Sequence, residues 1–216
     1  MPGVAAVRRE PVQRRSIERV NRMLDACASV LDDVGYDRLT TREVARRAGV
    51  PIGTLYQFFG GKQALCGALA RRNLDLWVQR LHERLARLPA TRWSDTAAVV
   101  VEEFVAMKRT SPGFGVVDFG DARPDRPILL DGGEQEENNT LVARRLARFG
   151  VEDLGLPAAG QDGPVDDGRL LLVLRVAVEL ADGLLRLAFR AAPEGDPELI
   201  VEAGTALRGY LAVRLG

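Results

Sequence analysis

Residues 39–59 read Leu39-Thr40-Thr41-Arg42-Glu43-Val44-Ala45-Arg46-Arg47-Ala48-Gly49-Val50-Pro51-Ile52-Gly53-Thr54-Leu55-Tyr56-Gln57-Phe58-Phe59. Thr40 as N-cap and Glu43 at N3 make a capping box, which opens a short helix through Val44, Ala45 and Ala48. Gly49 ends that helix and supplies the unusual φ that a tight turn needs. Pro51 suits the first turn of a second helix carrying Leu55, Tyr56 and Phe59. Two short helices joined by Ala48-Gly49-Val50-Pro51 have the dimensions of a helix-turn-helix. The second helix has a face bare enough for a DNA major groove, because Ile52, Gly53, Thr54 and Gln57 are small or polar while Leu55 and Phe59 can face inward. Tyr56 and Lys62 can reach phosphate, and Arg42 can reach phosphate or a guanine edge. An ordinary αα-hairpin with a solvated polar face fits the spacing equally well.

Outward from this stretch, apolar residues keep helical spacing and no sustained alternating pattern appears. Ser16 is positioned to cap a first helix with Val20, Met23, Cys27, Val30, Leu31 and Val34 on its inner face, and Gly35 to stop it. Residues 1–15, with Arg8, Arg9, Arg14 and Arg15, read as a mobile basic arm. Gly60-Gly61 ends the third helix, and Lys62 starts a long fourth one toward Leu88. Further helices are predicted near Trp93–Lys108, Glu134–Phe149, Asp166–Ala191 and Pro197–Arg214. Two Gly/Pro-rich connections, Ser111–Gly133 and Gly150–Pro164, separate them. The expected fold is all-α: an N-terminal three-helix head over residues 16–65, joined through the fourth helix to a larger helical body over residues 66–216.

Charge is divided along the chain. It carries 30 basic and 30 acidic residues, but residues 1–72 hold 13 basic against 7 acidic and residues 73–216 hold 17 against 23. A basic head on an acidic body points to a nucleic-acid or membrane partner for the head. Only Lys62 and Lys108 are lysines, which reads as codon bias toward arginine. One His and two well-separated Cys, Cys27 and Cys66, cannot build a Cys/His zinc site. The cysteines read as small buried residues in a reducing compartment. The N-terminus lacks a signal-type apolar core, and Arg175, Glu179, Asp182 and Arg186 interrupt the longest apolar run, so a soluble cytoplasmic protein without a membrane span is expected. His82 among Arg80, Glu83 and Arg84 reads as a surface residue. Gly113-Phe114-Gly115 and Gly61-Lys62-Gln63 lack the remaining residues of nucleotide-binding loops.

Residues 22–69 resemble the DNA-binding domain of TetR/AcrR-type transcriptional regulators. The resemblance rests on Met23-Leu24-Asp25-Ala26-Cys27, Val30-Leu31, Gly35-Tyr36, Leu39 through Ala45, Ala48-Gly49-Val50, Gly53-Thr54-Leu55-Tyr56, Phe58-Phe59, Lys62 and Ala64-Leu65. It implies that Thr41 and Arg42 contact DNA from the second helix. It places Ile52, Gly53, Thr54, Tyr56, Gln57 and Phe58 on the recognition helix and Lys62 on phosphate. Two positions depart from the family pattern. Pro51 stands where a polar N-cap is usual, and Phe58 where His or Tyr is common; both obscure the operator sequence. Ile52 would read a thymine methyl by apolar contact.

The resemblance further implies that the body is a helical ligand-binding and dimerisation domain. Trp77, Trp93, Phe104, Met107, Phe114 and Phe119 gather around the 111–127 stretch. They would line a cavity for a flat apolar or aromatic effector, with 111–133 as a lid, or they are simply core. Asp118, Asp121 and Arg123 would fix a polar group of such a ligand, or form a solvated loop. Leu184 and Leu187, with the seam Ile200, Ala203, Leu207 and Tyr210, form the expected dimer surface, or they complete one subunit's core.

The expected function is a bacterial repressor that binds double-stranded DNA at a palindromic operator as a homodimer and is released by a small-molecule effector. It would be no enzyme and would need no cofactor or metal. A helical small-molecule enzyme and a regulator without an effector are the competing readings.

Overall fold

The computed structural model describes residues 9–88, 92–118, 138–156, 159–160, 163–164 and 167–216. Helix α1 spans Arg9–Arg38. It starts ahead of Ser16, so residues 9–15 prolong a helix instead of forming an arm; residues 1–8 lie outside the described residues. Arg, Gln and Glu are good helix formers, and Arg14 pairs with Glu18 one turn on at 3.2 Å. Gly35 leaves helical geometry at φ 72°, ψ 174°, and one further turn closes the helix.

Helix α2 (Thr41–Ala48) is capped by Thr40, whose side-chain oxygen accepts from the Glu43 amide at 3.2 Å. Glu43 turns its carboxylate to Arg46 (2.6 and 2.8 Å) and Arg47 (3.4 Å). Only the forward half of the capping box is therefore seen. Two guanidiniums make better partners for a carboxylate than one amide, and the Arg46 hydrogen bond holds the Glu43 carboxyl down at about 2. Gly49 caps the helix in the left-handed region at φ 65°, and the Val50 amide donates back to the Ala45 carbonyl at 3.0 Å. Helix α3 (Ile52–Phe58) follows Pro51, which supplies no side-chain cap. Arg47 ties α2 to α1 through Ser29 (2.8 Å) and Asp33 (2.5 Å).

Helix α4 (Lys62–Leu85) belongs to both ends of the molecule. Its Leu65, Cys66 and Leu69 close the head core with Met23, Cys27, Leu31, Val44 and Leu55. Its Trp77, Leu81 and Leu85 continue the same cluster into the body, toward Val99, Val142 and Phe149. Cys27 and Cys66 are free, fully buried thiols. The Cys66 hydrogen bond and burial both push the Cys27 thiol up.

The body contains α5 (Trp93–Thr110), α6 (Asn138–Arg148), a π-helical turn at Phe149–Asp153, α7 (Asp167–Ala191) and α8 (Pro197–Leu215). A two-residue antiparallel ladder, Ala159–Gly160 with Gly163–Pro164, is the one departure from helix among these elements. Helix α8 packs on α5 and α7, α6 packs on α7, and α5 packs on α4. Buried Glu103 of α5 receives Arg80 (3.2 Å) and Arg84 (3.4 Å) of α4. Arg145 of α6 reaches Asp75 of α4. No helix among the described residues is long and apolar enough to cross a membrane.

After α5, the turn 111–117 runs back onto the head. Its Gly113 amide donates to Asp32 of α1 at 2.8 Å, and its Val117 carbonyl accepts from buried Asn73 of α4 at 2.9 Å. Gly113 has φ 74°, and a Cβ there would lie 2.7 Å from the Ala28 Cα. Gly113→Ala is expected to cost about 2 kcal/mol or more, from positive φ and overpacking together. Gly115→Ala, with open space at the Cβ, should stay within roughly 0.5 kcal/mol of wild type. Parallel urea melts of both variants check the difference.

Candidate functional site

Two sites follow from this framework. The first is the outer face of α2 and α3. Val44, Ala45 and Leu55 are buried, which turns Arg42, Ile52, Gly53, Tyr56, Gln57 and Phe58 outward. Thr54 and Thr41 are half-buried. Tyr56, 54% exposed, shares a 3.0 Å hydrogen bond with Thr41 across the two helices. That bond fixes the phenol as a rigid post between them. Lys62 donates to the Asp37 carbonyl at 3.2 Å and lies 4.2 Å from the Tyr36 ring centroid. Its ammonium is thus positioned at the head of α4 by a carbonyl and an aromatic face. Of the nine expected DNA-contact residues, six are exposed on α2 and α3, Thr41 and Thr54 are half-buried on the same helices, and Lys62 is half-buried at the start of α4.

The second is a cavity inside the body. The space it leaves for the centres of water-sized molecules is about 80 Å³. Helices α4 to α8 and the π-helical turn all contribute to the wall. Trp77, Trp93 and Phe104 line it, and Phe149 joins them. Met107 and Phe114 do not. Both are fully buried in the core behind the wall, where Phe114 meets Phe104 edge-on at 5.4 Å. Periodicity placed them on a buried face but could not tell cavity wall from solid core. Phe119, Asp121 and Arg123, and most of the stretch expected as a lid, lie outside the described residues.

Besides the indoles of Trp77 and Trp93, the polar wall groups are Thr96, Asp118, Asn139 and Asp182. Thr96 donates to the Trp93 carbonyl at 2.7 Å. Asp118 is paired with Lys108 at 3.0 Å. Asp182 receives Arg186 from one turn on and the Asn139 amide at 3.5 Å. Burial pushes the Asp182 carboxyl up, against the pull of Arg186, and the charge of Asp118 adds to the rise. In the sequence Asp182 belongs to a polar stripe on α7. Its position beside Ala181 and Leu185, which also line the cavity, was the available signal.

The residues of the expected dimer seam lie mostly inside the single chain. Ala203 and Leu207 are buried in the chain's own core, and Leu207 lines the cavity. Leu184, Ile200 and Tyr210 are half-buried against that core. Of the six, only Leu187 is exposed. The most regular apolar seam of α8 is the one that faces α5 and α7, because packing inside the subunit claims the greasiest face first. The exposed apolar residues are instead Leu172, Val176, Leu180 and Leu187 on α7, with Val201 and Val213 on α8.

A family model for bacterial regulatory proteins, tetR family, matches residues 23–69. A second, for the tetracyclin repressor-like C-terminal domain, matches residues 91–215. The chain belongs to the TetR family of bacterial transcriptional regulators. The crystal structure of a TetR-family transcriptional regulator from Streptomyces coelicolor is 44% identical, with a TM-score of 0.74 over 91% of this chain and 99% of that chain. The HTH-type transcriptional repressor KstR of Mycobacterium tuberculosis is 26% identical over 63% of this chain and 70% of its own length. The A-factor receptor protein of Streptomyces griseus is 42% identical over 57 residues, 26% of this chain and 21% of that protein.

Gly150, in the π-helical turn, admits the Trp93 ring: a Cβ there would lie 2.2 Å from Trp93 Cη2. Gly150→Ala should displace that ring, shift tryptophan emission and destabilise the fold by about 1–3 kcal/mol. Emission spectra and thermal melts of the variant check both effects.

Proposed function

We propose that the chain is a ligand-responsive repressor that binds a palindromic operator as a homodimer and releases it when a small, apolar effector enters the body cavity. Residues 16–65 would form the DNA-binding unit and residues 66–216 the effector-binding and dimerisation unit. The observation that carries this reading is the double membership of α4. Trp77 and Leu85 wall the cavity, while Leu65, Cys66 and Leu69 of the same helix are packed into the head.

In this reading Arg42, Thr41, Tyr56 and Lys62 hold the DNA backbone, while Ile52, Gly53, Thr54, Gln57 and Phe58 meet the base edges. A second copy is required because one helix-turn-helix reads too few base pairs, and a two-fold dimer reads two half-sites. The exposed apolar stripe Leu172, Val176, Leu180 and Leu187 supports pairing through α7. An effector stabilises whichever cavity shape it fits better. A coupling of roughly 1–3 kcal/mol through α4 and the Gly113–Asp32 contact would lower operator affinity by about 5–150-fold.

Selection of bound fragments from random DNA should enrich a palindrome, and candidate ligands should release it. The absence of any enriched palindrome would refute operator binding. A site that no ligand releases would favour a regulator acting without an effector. Tyr56→Ala and Lys62→Ala should weaken binding to all sequences, and Lys62→Ala should lower the salt dependence of log K by about one charge; fluorescence anisotropy across a salt series measures both. Leu180→Arg should leave the fold intact and dissociate the dimer in sedimentation velocity, whereas Leu207→Ala should lower stability by about 2–5 kcal/mol.

A further inference from the structure

The cavity is apolar over most of its wall, and its two carboxylates share one end with Asn139. Among the described residues, the only ionisable groups in that wall are two carboxylates, Asp118 and Asp182. Their cations, Lys108 and Arg186, are not wall residues. Lys108 sits against the Phe104 and Phe189 rings at 5.8 Å from each centroid, and the Arg186 side chain is 52% exposed. Asn139, the third polar group here, gives its amide to Asp182. Thr96, in the first turn of α5 and away from this end, gives its hydroxyl proton to the Trp93 carbonyl. What this end offers an occupant is therefore acceptor oxygen.

We propose that the effector is an apolar molecule whose head group donates hydrogen bonds, an alcohol, phenol or protonated amine, and that Asp118, Asn139 and Asp182 receive this head and exclude carboxylates. The proposal rests on the cavity being the effector site and specifies what it accepts. A hydroxyl or ammonium placed here gains a hydrogen bond to a charged acceptor. Such bonds are the stronger kind. A carboxylate head would meet two like charges in a poorly solvated space and would have to enter protonated or leave its head in water. The aliphatic wall residues, with Trp77, Trp93, Phe104 and Phe149, offer contact area to the apolar body.

The test uses one apolar tail with three heads: 1-decanol, decylamine and decanoate. Each is titrated into the full chain below its aggregation concentration. The chain contains two tryptophans, Trp77 and Trp93, and both line the cavity, so their emission reports occupancy directly. The expected result is that decanol or decylamine binds at least about tenfold more tightly than decanoate. Decanol ahead of decylamine identifies a neutral donor, and the reverse order a cationic one; either supports the proposal. Asp182→Asn, which keeps the side-chain volume, should shrink the gap to within about threefold. Decanoate binding as tightly as the better donor would overturn the donor-head proposal while leaving the cavity as an effector site. An unchanged gap in Asp182→Asn would also overturn the assignment of the head to this end. If none of the three alters tryptophan emission, the cavity is not the effector site, and the proposed release mechanism fails with it.

Discussion

Helix α4 carries one continuous core from the head into the body, and the remaining structure is arranged around that constraint. Near its start it has to bury Leu65, Cys66 and Leu69 against α1 and α2. Two turns later the same helix presents Asn73 to the Val117 carbonyl and Trp77 to the cavity. A helix is stiff along its axis, so a change in the tilt of the Trp77 end is carried to the Lys62 end. Close-packed interiors respond to such strain by switching between discrete packings, not by stretching. The 111–117 turn adds a second, shorter link, because Gly113 touches the backbone of α1 directly. Body and head therefore meet at two places, one through a long lever and one through a backbone contact.

Charge reinforces this arrangement. Arg72 of α4 pairs with Asp25 of α1 at 2.6 Å, and Arg47 pairs with Asp33. Arg80, Arg84 and Arg145 fasten α4 to α5 and α6 through Glu102, Glu103 and Asp75 or donate from α6 to α4. Most of these pairs are solvated and each contributes little to stability. Their value lies in register: apart from Arg47–Asp33, which ties α2 to α1, they join α4 to its neighbours on both sides of the head–body boundary. Arg42 and Tyr56 are left on the outer face, where an excess of positive charge helps draw in a polyanion.

The helix-turn-helix was legible because its signals are local. Thr40, Gly49 and Pro51 act on their own backbone within a few residues, and the structure uses each of them where the sequence suggests. The body helices α5, α7 and α8 were legible to within a residue or two at most of their ends, from periodicity and flanking turns. The start of α1 was not, because a cap signal at Ser16 competes with a run of good helix formers before it, and the run prevails. The cavity and the pairing surface were less legible for a different reason. Periodicity reveals which face of a helix is buried, but not what buries it. Ile200, Ala203, Leu207 and Tyr210 form the clearest seam in α8, and it faces inward. Asp182 reads as one member of a charged stripe until α6 arrives beside it with Asn139.

The π-helical turn at Phe149–Asp153 carries one more residue per hydrogen-bonded loop than the α6 helix it extends. Each residue of an α-helix rotates the chain by about 100°. Deleting a single residue here would return the segment to α-helical winding and swing Phe149 and Gly150 relative to Trp93, exchanging which side chains meet the cavity. Relatives of this chain can thus acquire a cavity with a different lining through a change in length alone, with the sequence of the N-terminal head left as it is.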